Sequence, residues 1–311
     1  MPSVVLGCLL LLLGSEPSTA EPARPLRLLT YNMLHGGITS DLLGDGQRLD
    51  ERLAMTVEAL RRLDADVIGL QEASRGRWRG DVAGRLADAL GLEHVYAPAA
   101  FPLAVIRTVL GLDEGPAVLS RFPITASEAM PIEGCGLYRR AVVCATLRTP
   151  WGPLEACSTH VDGGFCQAER LHALVERRRG AVPVVLMGDL NATEDTPGIR
   201  LLTRAGFIDT FRHANPQAPG FTVWQWIHAP WRMAWRRVDY VLVAQASERP
   251  ARVLESRVVL DEPGRAADGS VLWPSDHYGV LSVVDVFGSE PAGRSAAADH
   301  SIRGRSDCLI W

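Results

Sequence analysis

Six apolar runs in this 311-residue sequence meet residues that could do chemistry together. Asn32 closes LRLLTYN, Gln71-Glu72 close VIGLQE, and His160 closes PLEACSTH. Asp189 and Asn191 close VPVVLMGDLN, Asp239 sits in RRVDYVLV, and Asp276-His277 open onto YGVLSVVDVF. One polar ending is ordinary, because strands run into turns and turns favour Asp and Asn. Six endings that combine carboxylates, amides and histidines are harder to assign to turns. A phosphodiester is anionic and repels hydroxide, so its hydrolysis needs charge neutralised, a nucleophile made and the departing oxygen stabilised. A hard cation such as Mg²⁺ does the first with one or two carboxylates and waters as ligands. A histidine held by a carboxylate can move the proton.

The runs that position these residues read mostly as strands. Residues 26–34, 67–72, 117–124, the hairpin 139–161, 182–191, 236–243, 251–260 and 278–287 are apolar and short. Leu53, Val57 and Leu60 within 50–66 have the spacing of a helix with one buried face. Further helices are expected over 81–91, over 166–180 with Gly180 and Pro183 as the stop, and from about Pro197. Helices fall between groups of strands instead of alternating with them, which favours two packed sheets with helices outside over a doubly wound parallel sheet. Glu194 and Asp195 are expected to cap the helix at Pro197. One catalytic domain is expected over about 25–288, followed by a tail, 289–311, whose Gly, Ser, Ala and Arg lack periodicity and predict disorder.

The segments NMLHG, LQE, STH, GDLNATEDTPG, RRVDYVL and SDHYGV, in that order, resemble the endonuclease/exonuclease/phosphatase superfamily. That group includes deoxyribonuclease I, abasic-site endonucleases, neutral sphingomyelinases and inositol-phosphate 5-phosphatases. The resemblance covers 27–285 and implies an α/β fold, a four-layer α-β-β-α sandwich with two packed mixed β-sheets and helices outside. It implies Mg²⁺ as cofactor, with Mn²⁺ able to replace it, held by Glu72 with Asn32 beside it and Asp276 supporting the metal or its waters. His277 becomes the general base or phosphate-polarising group, with Asp239 accepting its other ring proton. Asp189 orients the water, Asn191 bonds phosphoryl oxygens, and His160 donates to a non-bridging oxygen. His160 also sets the chain apart from the abasic-site branch, which has tyrosine there. Asn191 opens a glycosylation sequon, which its place in GDLN overrides. Tyr31, Tyr240 and Tyr278 are expected to pack, and His35, His94, His172, His213 and His228 to lie outside the site.

Composition narrows the setting. Hydrophobic residues make up 47% and charged residues 22%, which excludes wholesale disorder and a polytopic membrane protein. The net charge of −4 offers no global positive field for nucleic acid. All 32 basic residues are arginine, for which a GC-rich codon bias is sufficient reason. The apolar run 4–13, followed by Ser18-Thr19-Ala20, reads as a signal peptide over 1–20 and a secreted or periplasmic protein, or a membrane-anchored one if uncleaved. Five cysteines then remain. Numbers summing to 301 pair across a hairpin turning at Pro150-Trp151, and both Cys144 with Cys157 and Cys135 with Cys166 meet that sum. Buried free thiols are the expectation for the inner pair and a disulfide for the outer one.

Two segments bear on the substrate. Residues 73–81 carry Arg75, Arg77 and Arg79 around Trp78, and 221–237 carry Trp224, Trp226, Trp231 and Trp235 with Arg232, Arg236 and Arg237. Arg and Trp together can grip phosphates and stack bases, or meet a membrane interface. Simple packing of Trp224 and Trp226 onto the sandwich is an equal alternative. The expectation is a monomeric phosphodiesterase acting on nucleic acid first and a phospholipid second, with inositol phosphates and a catalytically idle binding module as alternatives.

Overall fold

A computed structural model describes residues 23–34, 48–76, 80–99, 113–136, 139–180, 182–244 and 250–288. The expected signal segment and tail lie outside the described residues, as do His35, Arg77, Trp78 and Arg79. No helix among the described residues is long and apolar enough to cross a membrane.

Two mixed sheets form the body. The first orders β12 (Arg252–Val259), β15 (Gly279–Asp285), β1 (Leu26–Asn32), β2 (Val67–Gly76), β5 (Asp113–Ser120) and β4 (Glu93–Tyr96), with β3 (Gly80–Asp81) on β2. The second orders β10 (Phe207–Asp209), β11 (Asp239–Ala244), β9 (Val184–Asp189), β8 (Gly152–His160), β7 (Arg140–Thr149) and β6 (Ile124–Ile132). A short ribbon, β13 (Gly264–Arg265) and β14 (Val271–Leu272), lies apart. Each sheet has one parallel pair at its centre, β1 with β2 and β8 with β9, and every other pairing is antiparallel.

The unbroken apolar strands follow from burial on both faces. Leu28, Val67, Val185 and Val241 point between the sheets, whereas Leu29, Ile68, Leu186 and Leu242 point outward. Helices α1 (Leu49–Leu63) and α2 (Val82–Leu90) cover the first sheet through Leu53, Leu60 and Leu86. Helices α3 (Phe165–Glu176) and α4 (Pro197–Arg204) cover the second through Leu171, Val175, Ile199 and Leu202. A short α5 (Thr210–Ala214) follows β10. The four-layer α-β-β-α sandwich is thus present. The sheets approach so closely at Gly69 that a Cβ there would lie 2.6 Å from Met187 Cβ.

Several boundaries differ from the sequence expectation. The run 117–124 is two strands, because Ser120 Oγ bonds Phe122 N and turns the chain before β6. The strand expected to stop at Glu72 continues to Gly76, with the irregularity falling between Leu70 and Ala73 in its pairing with β5. Glu194 and Asp195 do not cap α4: Thr196 occupies the cap position, and Glu194 instead binds Arg212 and Arg237. The hairpin register is as counted, Cys144 opposite Cys157. Both cysteine pairs are bridged, Cys135–Cys166 and Cys144–Cys157. The inner pair is therefore not free thiols, since direct cross-strand opposition leaves its Cα atoms only 4.0 Å apart.

Candidate active site

Topology gathers the polar endings at one mouth. The parallel strands β1, β8 and β9 end there, β2 passes it at Glu72, and the antiparallel neighbours β11 and β15 begin there. Register places His160 opposite Asp189, and Asp189 opposite Asp239, so three side chains stand in a row across β8, β9 and β11. Across the gap, Asn32 leaves β1 beside Gln71 of β2. Glu72 turns toward the mouth with φ +54°, a left-handed conformation that costs a non-glycine residue about 1 kcal/mol or more.

Asn32 joins the halves. Its Nδ2 donates to Glu72 Oε1 at 3.1 Å and to Asp189 Oδ2 at 3.0 Å, while Oδ1 accepts from Leu34 N. In this geometry Asn32 braces two carboxylates with its amide N–H groups. Asp189 Oδ1 accepts from Asn191 N at 2.9 Å, and Oδ2 lies 3.4 Å from His160 Nε2 and 3.7 Å from His277 Nε2. Asn191, at φ +48°, donates through Nδ2 to Val161 O, with His160 Nε2 3.0 Å away. His277 Nδ1 lies 3.0 Å from Asp239 Oδ2. Ser275 Oγ donates to Asn32 O and accepts from His277 N, binding the last motif to the first.

Electrostatics divides the mouth. Burial and the Glu114 and Asp276 charges push Glu72 up to about 8. Burial, with Asp239, lifts Asp189 to about 7. Burial also raises Asp276. Burial opposes charge on His277, but Asp239, Asp189 and Asp276 outweigh it and hold its pKa well above the ordinary value. His160 goes the other way, driven well down by burial and by Arg140.

Four residues escaped the sequence reading. Glu114 starts β5, and its carboxylate, that of Glu72 and the His160 ring lie close enough to share one ion. Arg140 starts β7, 3.3 Å from His160 Nδ1 and 3.5 Å from Glu114, and bonds Asp162 at 2.8 Å. The hairpin sum of 301 points to it, since it sets 140 against 161, the residue after His160. Arg52 of α1 is buried and donates to the carbonyls of Met33, Leu34 and Pro274, fixing the chain next to Asn32 and Asp276. Gln225, also buried, donates to Trp226 O and Trp231 O and accepts from Met233 N and the Tyr278 hydroxyl. As expected, Tyr31, Tyr240 and Tyr278 are buried.

The donor set fits a hard divalent cation. Glu72, Glu114 and Asp276 gather negative charge at the mouth, and a bound cation would favour all three ionised together. A second cluster, Asp189, Asp239 and His277, is equally close-set. Among the described residues, Asp239 Oδ1 is buried without a hydrogen-bond partner.

A two-sheet sandwich with a carboxylate and histidine mouth at its strand ends defines a metal-dependent phosphoester hydrolase. The chain belongs to the endonuclease/exonuclease/phosphatase family, whose model matches residues 29–277. Among solved structures it resembles an endonuclease/exonuclease/phosphatase from Beutenbergia cavernae, at 24% identity and TM-score 0.64 over 86% of this chain and 72% of that one. It also resembles a Bacteroides thetaiotaomicron mannosyl-6-phosphatase, at 17% identity and TM-score 0.63 over 84% and 99%. A D. rerio TDP2 complexed with single-strand DNA product matches at 15% identity and TM-score 0.62, again over 84% and 99%. Among curated proteins, none matches the sequence.

Proposed function

We propose that this chain is an exported, Mg²⁺-dependent phosphodiesterase in which Asp189 takes the proton of an attacking water. The observation that carries this is the convergence on Asp189 Oδ2 of Asn32, His160 and His277, from three different strand ends, at 3.0, 3.4 and 3.7 Å. Glu72, with Glu114 and Asp276 beside it, would hold the cation, which when bound neutralises phosphate charge and polarises the ester. Asp189 sits near neutrality, where a general base is most effective. His277, kept charged by Asp239, is the donor to a phosphoryl oxygen, and Asn191 and His160 supply further polar contacts. The water oxygen bonds to phosphorus, one P–O bond breaks, its proton passes to Asp189, and the alcohol leaves after protonation by solvent. Export is supported by the leader-like residues 1–20 and by two disulfides, which persist in oxidising compartments.

Bis(p-nitrophenyl) phosphate, a soluble diester, tests the reaction. Hydrolysis should need Mg²⁺ and stop with EDTA. Undiminished turnover in metal-free buffer, or cleavage of p-nitrophenyl phosphate alone, would sink the diesterase reading. Mannosyl-6-phosphatase and DNA-bound neighbours on the same fold leave the substrate class to features outside the mouth.

A further inference from the structure

Residues 221–237 run past the mouth and are pinned to its last motif. Tyr278 N bonds Thr222 O at 2.7 Å, Gln225 N bonds Asp276 O at 2.8 Å, and Val223 pairs with His277. Gln225 gathers the carbonyls of Trp226 and Trp231 from below, and the buried Trp273 donates to Ala229 O. This segment is held firmly, yet its aromatic side chains face solvent. Trp224 is 63% exposed, Trp226 74%, Trp231 65% and Trp235 58%, with Phe221 at 42%. Of the two equal alternatives for Trp224 and Trp226, packing onto the sandwich is therefore the one not realised. Five large aromatic side chains left exposed on a well-fixed support are the kind of surface that a partner covers.

The charges say which kind. A polyanion-tracking groove needs free cations along it, but most of this region's arginines are committed to carboxylates. Arg237 is buried against Asp209 and Glu194, Arg212 binds Glu194, and Arg232 binds Asp261. Arg236 remains, 5.5 Å from the Trp235 ring and without an ion pair among the described residues. The rim is thus four amphipathic rings and one guanidinium on a stretch with no acidic residue. Trp belongs at the level of lipid headgroups, where the ring is apolar and its N–H stays wet, and a lone arginine complements the headgroup phosphates.

We infer that residues 221–236 form a docking rim that seats the mouth on a phospholipid bilayer, so that the diester hydrolysed is that of a lipid headgroup. This rests on the diesterase reading, and reverses the order in which nucleic acid stood first.

The test compares the full chain with Trp226→Ser/Trp231→Ser, both rings being too exposed to stabilise the fold. Co-sedimentation with phosphatidylcholine vesicles, with and without phosphatidylglycerol, should fall about tenfold or more in the double variant, since interfacial binding scales with buried apolar area. Hydrolysis of bis(p-nitrophenyl) phosphate should stay within about twofold. Arg236→Glu should weaken binding to the phosphatidylglycerol vesicles most, which reads the same surface without touching tryptophan. Absence of vesicle binding by the full chain, or equal binding by the double variant, overturns the inference. So does loss of salt-dependent binding to a single-stranded oligonucleotide in the double variant without a change on vesicles, which would make the rim a base-stacking platform. The soluble diester reports separately: if it is cleaved while vesicles are ignored, the rim fails and the chemistry stands.

Discussion

Burial, Glu114 and Asp276 lift the Glu72 carboxyl from about 4.5 to about 8, so the metal-free fold binds its proton more tightly than the unfolded chain does. The stability penalty for ionising it is absent below about pH 4.5, grows through the interval and is complete above about pH 8. A cation takes the place of that proton. The rise in melting temperature given by Mg²⁺ should therefore increase from pH 5 to pH 8, and Glu72→Gln should flatten it. A thermal-melt series showing a pH-independent increment, or an unchanged one in Glu72→Gln, would remove Glu72 from the metal site. His277 makes a kinetic prediction. Its interactions strengthen as charge develops on the phosphoryl group, so His277→Ala should lower kcat about 10²–10⁴-fold with little change in KM. Asp239→Asn acts through the same ring, and the double variant should lose less than the product of the two. Strict additivity on the soluble diester would show that Asp239 serves something else.

At the scale of strands and loops, the sequence revealed polar residues that interrupt or open onto apolar runs, and hid the charged ones where β5 and β7 begin. Asn32, Glu72, His160 and Asp189 were legible because apolar runs of both-face-buried strands stop abruptly at polar residues. Glu114 and Arg140 sit at the starts of β5 and β7, where charged residues are commonplace, and only antiparallel pairing brings them to the mouth. Arg52 and Gln225 act through backbone carbonyls, which no residue pattern advertises. The turn at 121–123 was missed because Phe122 and Ile124 keep the run apolar across it. Glycine in GDLN has a plain reason, since a Cβ on Gly188 would lie 2.6 Å from Thr159 O of the neighbouring strand. Gly69→Ala, by contrast, meets the facing sheet at Met187. It should cost about 1–3 kcal/mol by forcing the layers apart, lowering the melting temperature with kcat on the soluble diester nearly kept. Gly188→Ala should lower both, because it displaces Asp189. Equal kcat values in the two variants would argue that β9 tolerates the shift without moving the base.

Over the whole molecule, the two disulfides act on different problems. Cys135–Cys166 closes a separation of 31 residues and joins the chain after β6 to the start of α3, near the surface. Cys144–Cys157 closes only 13, but joins β7 to β8 with both sulfurs buried beneath the α3 and α4 layer. Chain entropy alone favours the outer bridge, about 3.7 against about 2.9 kcal/mol in the loop-closure relation. Burial favours the inner one, because Cys144→Ala/Cys157→Ala also removes two sulfurs from packed core and leaves a void, a loss of about 1 kcal/mol or more for each large-to-small change. Cys135→Ser/Cys166→Ser leaves polar groups near solvent and no cavity. The packing term exceeds the difference in entropy, so the inner double variant should melt lower than the outer one. Calorimetry of both, in the presence of Mg²⁺ to hold the mouth in one state, decides it. A larger fall for Cys135→Ser/Cys166→Ser would mean that loop closure, not the layer between the second sheet and its helices, sets the stability of this half of the sandwich.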